Sequence, residues 1–233
     1  MPLYWELLDN RSGNSNAAQR LAVLEVCVAV LGRERIGLVL GDREFVGYVW
    51  LKYFKDNELN FVMRLPKHHL LTDESDGRHA IADLGLAAGQ VRRVAYVQID
   101  GIWGQVWVNA LADGEFLFHF GTSGLRSLGQ FYAKRWTIES CFQDLKARGF
   151  DLENSHLRYY HKLRKLVALV SLVSAFCLSV GRAADQRTPV ARKNHGYRAT
   201  SLSRHGLNIV RQLTRPDTDA RIKLARIVEA LLN

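Results

Sequence analysis

Phe131–Asp151, FYAKRWTIESCFQDLKARGFD, is the stretch from which the rest of the chain is read. It predicts one helix of about five turns. Its residues are good helix formers, it contains no proline, and Gly149 stands where a C-terminal stop belongs. Tyr132, Arg135, Glu139 and Lys146 occupy relative positions 0, +3, +7 and +14. At about 100° per residue they fall within roughly 60° of one another on the helix surface. Beside this polar strip runs an apolar one of Phe131, Ile138, Phe142 and Leu145. The helix is expected to bury one face and to hold a phenol, a guanidinium, a carboxylate and an ammonium along its border. A carboxylate can hold a divalent metal, and the other three can grip phosphate oxygens. The plainer alternative is a solvated face with weak salt bridges, which is what most helices carrying Glu, Arg and Lys on one side are.

Outside this helix, charge is the most informative property. The 233 residues are 48% hydrophobic and 24% charged, a globular rather than a disordered balance, and long enough for one large domain or two small ones. The net charge of +9 is unevenly placed: residues 1–120 carry 12 Lys and Arg against 15 Asp and Glu, whereas residues 121–233 carry 20 against 8. A basic C-terminal half points to a polyanion, nucleic acid first and an anionic membrane surface second. Cys27, Cys141 and Cys177 are odd in number and far apart, with no metal-ligand spacing, which suggests a reducing cytoplasm. No signal peptide is visible at Met1–Tyr4. The most apolar run, Leu166–Val180, is short for a bilayer and holds Ser171, Ser174 and Ser179, so a buried helix is expected and no membrane partner.

From its start, the chain reads as follows. Leu3–Leu8 is a strand candidate and Asp9–Asn16 a loop by composition. Ala17–Leu31 has helical periodicity, with Leu21, Leu24, Val28 and Leu31 on one side. Ile36–Leu40 is an apolar run bounded by glycines, as a strand covered on both faces would be, and a helix through Asp56 follows GDREF. Asp42 thus falls at the C-terminal end of a strand, where open α/β sheets place their chemistry; a helix N-cap is the competing reading. Asn60–Leu65 is a further strand, and Arg92–Asp100, Ile102–Ala112 and Glu115–Gly121 read as three antiparallel strands. Along the middle one, Trp103, Gln105, Trp107 and Asn109 share a face. Trp103 and Trp107 are candidates for stacking on an unpaired base, or for packing under a neighbouring segment. His156–Val180 is expected to be helical, Gly181–His205 a basic loop, and Asp219–Leu232 a short amphipathic helix. The basic segments suit phosphates more than base edges, and His195 and His205 are expected at the surface.

The pattern Y-x2-R-x3-E-x6-K, with RWTIES and KARGFDLENSHL around it, resembles the signature of the bacterial insertion-sequence transposases called the IS-four family. GDREF resembles the segment that carries the family's second catalytic Asp. The resemblance covers nearly all of this chain. It implies an α/β fold: an incomplete RNase H-like core (1–66), a β-rich insertion (67–125), completion of the core with the Glu helix (126–180), and a mainly helical, basic C-terminal region (181–233). It implies cut-and-paste transposition, with Asp42 and Glu139 as catalytic metal ligands for two Mg2+ ions, Mn2+ able to substitute. Tyr132, Arg135 and Lys146 would hold phosphates, the partners would be double-stranded DNA at element ends and target, and the DNA complex would hold a homodimer. The family's first catalytic Asp lies well upstream of the segment that here begins at Pro2, and Asp9 is no substitute. The expectation is therefore a truncated or split copy, poorly stable and inactive alone. The alternative is a non-catalytic DNA-binding remnant or an inhibitor of intact transposase.

Overall fold

The computed structural model of the chain describes residues 2–8, 15–84, 86–148, 150–194, 196–214, 222–223 and 225–227. Asp9, Gly149, His195 and most of the expected helix Asp219–Leu232 lie outside the described residues. The chain divides into two compact units, one of residues 8–137 and one of residues 1–7 together with 138–233.

The first unit is built on one mixed seven-stranded sheet. Its strands are β1 (Val39–Gly41), β2 (Phe61–Leu65), β3 (Leu70–Thr72), β4 (Arg78–Ala80), β5 (Val91–Ile99), β6 (Ile102–Ala110) and β7 (Phe116–Gly121). Their order is β1-β2-β7-β6-β5-β3-β4. Among the described strands only β1 and β2 run parallel; β2 pairs antiparallel with β7 through Val62–Gly121, Met63–Phe120, Arg64–His119 and Leu65–Phe118. The strands after Lys67 therefore continue the sheet begun before them. Helix α1 (Ala17–Leu31) matches its expected bounds, closed at its start by a reciprocal Asn16–Gln19 capping box. Helix α2 (Tyr48–Asp56) follows the GDREF loop.

Alternation sorts the strands into two faces. Phe61, Met63, Leu65, Val97, Ile99, Ile102, Val106, Val108, Phe118 and Phe120 join Trp50, Leu51 and Phe54 of α2 in the core, and Leu21, Leu24 and Val28 of α1 pack on it. Aromatic rings knit its centre: Phe54 stacks on Phe61 at 5.3 Å, and Phe61 meets Phe120 at 5.5 Å. Such pairs contribute about 0.5–1.5 kcal/mol each beyond the area they bury. The opposite face is covered by α3 (Leu128–Ala133), whose Leu128 is fully buried.

Two expected strands are corrected. Residues 2–8 form no strand: Leu3 is 63% exposed, and among the described residues no backbone pairs with the segment. The Ile36–Leu40 run yields only Val39–Gly41, an edge strand whose apolar residues are half-buried rather than covered on both faces. Short apolar runs report burial poorly when a strand pairs on one side only.

In the second unit, α5 (Tyr160–Arg187) runs beyond the expected end at Val180, and α6 (Leu202–Leu213) begins inside the expected loop Gly181–His205 and continues past it. Glycine is a poor helix former, yet Gly181 and Gly206 lie inside these helices, where they mark a close crossing: a Cβ on Gly181 would strike the Leu202 carbonyl oxygen, and one on Gly206 the Cys177 carbonyl oxygen. Val170, Ser174, Cys177 and Gly181 form the buried stripe of α5 at helical spacing. By length and composition alone α5 would also suffice to cross a bilayer. His205, expected at the surface, is half-buried. Replacing Gly206 by Ala should destabilise the chain by about 1–3 kcal/mol, the cost of overpacking, because backbone rather than a pliable side chain must yield. Chemical denaturation of variant and parent measures this.

Candidate active site

The signature stretch is not one helix. It starts earlier than expected, as α3 at Leu128, and is interrupted at Lys134 and Arg135. There the N–H groups of Lys134, Arg135 and Thr137 bond three residues back, to Phe131, Tyr132 and Lys134. It resumes as α4 (Trp136–Gln143) and widens into a π-helical turn, Asp144–Arg148. Tightening and widening both break the even 100° advance, so a projection from Tyr132 to Lys146 on one ideal helix does not hold. The expected apolar strip fails with it. Ile138 and Phe142 are 52% and 54% exposed, and of the four only Leu145 is buried.

Within the first unit, the two residues before the interruption converge on a loop about ninety positions upstream. Tyr132 Oη donates to Asp42 Oδ1 at 3.1 Å, and Arg135 Nη1 lies 3.8 Å from Asp42 Oδ2. Asp42 follows the last residue of β1, and the Arg43 N–H donates to its Oδ1 at 2.8 Å. Arg20 of α1 clamps this loop: its guanidinium donates to the Glu44 backbone oxygen, pairs with the Glu44 carboxylate at 3.4 Å and lies over the Phe45 ring. Glu44 thereby has a structural partner.

The register brings further groups to this level. Arg64 on β2 faces His119 on β7, which faces Trp107 on β6, which faces Arg93 on β5. The His119 ring packs against Tyr132 at 4.7 Å between centroids. The imidazole is 1% exposed, and neither ring nitrogen has a hydrogen-bond partner among the described residues. Burial and the charge on Arg64 push its pKa down to about 4, so the ring is neutral at ordinary pH. Burial works to raise the Asp42 pKa, but the Arg43 N–H, the Tyr132 hydroxyl, Arg135 and Arg64 together take it below the usual value. Burial, with Asp42 beside it, pushes Tyr132 up to about 12 and keeps the phenol a donor. The result is an ionised carboxylate with a neutral phenol, a neutral imidazole and two guanidinium groups around it.

Glu139 and Lys146 belong to the other compact unit. Glu139 is half-buried in the first turn of α4, and Lys146 is exposed in the π-helical turn. Trp103 is 47% exposed on the sheet face away from the core, in register with Gln98. Trp107 is half-buried, its Nε1 donating to Gln105. Gln105 is wholly buried, and its amide nitrogen donates to the carbonyls of Thr122 and Leu125. It is a structural node rather than an exposed amide. Arg20, Arg64 and His119 carry no motif that singles them out in the sequence. The one available signal is the alternation of β2 and β7, which puts Arg64 and His119 on the face away from the core.

Among the described residues, no group of three or more His, Cys, Asp and Glu side chains comes together as a metal-ligand cluster. Asp42 by itself has what a hard divalent cation asks of a ligand: an ionised, 40% exposed carboxylate at a strand end. A family model described as Transposase DDE domain matches residues 7–176. No individually curated protein matches the chain.

The Tyr132–Asp42 bond has a pH signature. A carboxylate whose folded pKa is depressed stabilises the fold above its unfolded value and loses that contribution as pH falls through the folded one. Tyr132→Phe should therefore cost about 1 kcal/mol at pH 7, a charged hydrogen bond discounted for solvent screening. The difference should shrink as pH drops below 3.8, the ordinary Asp value. Denaturant unfolding of both proteins across that range reads it directly.

Proposed function

Because the chain belongs to the family of transposase DDE domains, we propose that it serves cut-and-paste DNA transposition of the IS-four kind. In this reading it contributes Asp42 and Glu139 to metal-dependent cleavage and strand transfer at the element's ends. The observation that carries the reading is the convergence of Tyr132 and Arg135 on Asp42. Two residues of one motif meet the residue of another that the same resemblance marks.

Asp42 and Glu139 would hold Mg2+, or Mn2+ in its place, as hard oxygen donors. When bound, the metal pair supplies activation of water or a DNA 3′-hydroxyl and relief of charge on the leaving oxygen of an in-line phosphodiester displacement. The remaining work falls to this chain's own side chains. Arg135 and Lys146 neutralise phosphate oxygens, the guanidinium with a planar fork that can bind two of them at once. Arg64 adds positive potential at the same level of the sheet. Tyr132, protonated throughout the working range, donates either to Asp42 or to a phosphate oxygen. His119 sits under the Tyr132 ring and limits its swing. Double-stranded DNA is the proposed partner, a homodimer the assembly in its complex, and the cytoplasm the compartment. The first carboxylate of the family's set is assigned to no residue of this sequence.

The test is Mn2+ binding followed by electron paramagnetic resonance, alongside nicking of DNA that carries the element's ends. Asp42→Ala and Glu139→Ala should each abolish the metal signal and any nicking, while leaving duplex affinity near that of the parent. Tyr132→Phe should weaken the metal about tenfold, as loss of a group that orients a ligand does. Metal binding indifferent to Asp42→Ala would remove Asp42 from the site.

A further inference from the structure

Between Asp185 and Asp217 the chain carries seven Lys and Arg residues and no acid. Its middle part between α5 and α6, residues 190–194 and 196–199, folds as a finger. The Ala199 N–H donates to the Ala191 carbonyl at 2.8 Å, Arg192 and Arg198 form an antiparallel bridge, and the Lys193 N–H donates to the Tyr197 carbonyl at 2.9 Å. The tip turns through Gly196, whose N–H donates to the Lys193 carbonyl and whose own carbonyl accepts from the Arg192 guanidinium at 2.9 Å. One carboxylate fastens both arms to the end of α5. Asp185 Oδ1 accepts from the Val190 N–H at 2.8 Å, and Oδ2 accepts from Arg198 Nη2 at 2.9 Å. Those two partners, the Val190 N–H first, hold the Asp185 pKa below its usual value. Beyond the anchor, Arg192, Lys193, Asn194 and Tyr197 are all exposed, with Tyr197 at 75%.

A tract of one sign repels itself and tends to remain disordered. This one is held in shape by an acid placed at its root and not at its tip, so the anchor leaves the charge of the exposed end unneutralised. We infer that the finger of residues 190–194 and 196–199 is a docking surface for the phosphate backbone of duplex DNA, with Arg192 and Lys193 each neutralising a phosphate and Asp185 acting as a positioning residue. Duplex DNA is chosen over other polyanions because the family acts on it, so the inference rests on the proposed function. It extends that function to a surface with no residue of the signature.

The experiment measures affinity of the whole chain for a duplex across a salt series. Each phosphate that is no longer neutralised should lower the slope of log affinity against log salt by about 0.9. Arg192→Ala with Lys193→Ala should therefore reduce it by about 1.8, making the drop in affinity between 50 and 200 mM salt about tenfold smaller than in the parent. Asp185→Ala is the sharper variant. It makes the chain more positive, so charge alone predicts tighter binding; loss of the anchor predicts binding weakened several-fold. Circular dichroism shows whether α5 and α6 survive. If Asp185→Ala unfolds them, the double variant, which alters only exposed positions, decides. Unchanged slope in the double variant, tighter binding by folded Asp185→Ala, or a preference for phosphatidylserine vesicles over duplex would each overturn the inference. A parent chain with no salt-dependent duplex binding would instead overturn the DNA partner itself.

Discussion

The antiparallel pairing of β2 with β7 is the constraint on which the first unit depends. It joins a two-strand parallel pair to a meander that begins after Lys67, and it does so in one register: Arg64 opposite His119, Met63 opposite Phe120. That register puts Phe120 into the core beside Phe61, and it puts His119 on the other face, under Tyr132. A slip of one residue would exchange those two side chains, sending a phenyl ring outward and an imidazole into the aromatic cluster. The core specifies the register, and the register delivers α3 to the level of Asp42.

What gathers there is arranged by electrostatics as much as by packing. Two guanidinium groups near one carboxylate favour its ionised form, while burial first, and then the charge of Arg64, oppose protonation of the imidazole. The phenol is pushed the other way, toward its neutral form, by burial and by the carboxylate it bonds. Each group thus stabilises the charge state of its neighbour. Arg20, from the far side of the GDREF loop, keeps the carboxylate in this company by gripping Glu44 and Phe45.

Much of this can be read from residue order, and the failures have physical causes. The α1 helix and strands β2, β5, β6 and β7 follow from their apolar patterns because each turns one face to the same core. Residues 2–8 and Ile36–Leu40 mislead because apolar content alone does not say whether a partner strand is present. The stretch from Tyr132 to Lys146 misleads differently. Its composition is that of a continuous helix, yet the backbone tightens at Lys134 and loosens at Asp144, and side-chain propensity is silent about both. Tyr132 and Arg135 are legible from a spacing, and Asp42 from its place at the end of a strand and from the resemblance of GDREF. Arg64, His119 and Arg20 are not, since their importance comes from register and from contacts across long separations.

The crossing of α5 and α6 bears on how tolerance to mutation in this chain would be interpreted. Gly181 and Gly206 lie where backbone meets backbone, so the space for a side chain at either position is less than a methyl group. A systematic substitution survey would find both positions invariant, as unforgiving as any ligand to a metal. Ranked by intolerance alone, they would be mistaken for functional residues. Only the pattern of damage separates a packing constraint from a chemical one: at the glycines every substituent is rejected for its volume, whereas in the role proposed for Asp42 an amide of almost the same shape would be accepted by the fold and refused by the metal.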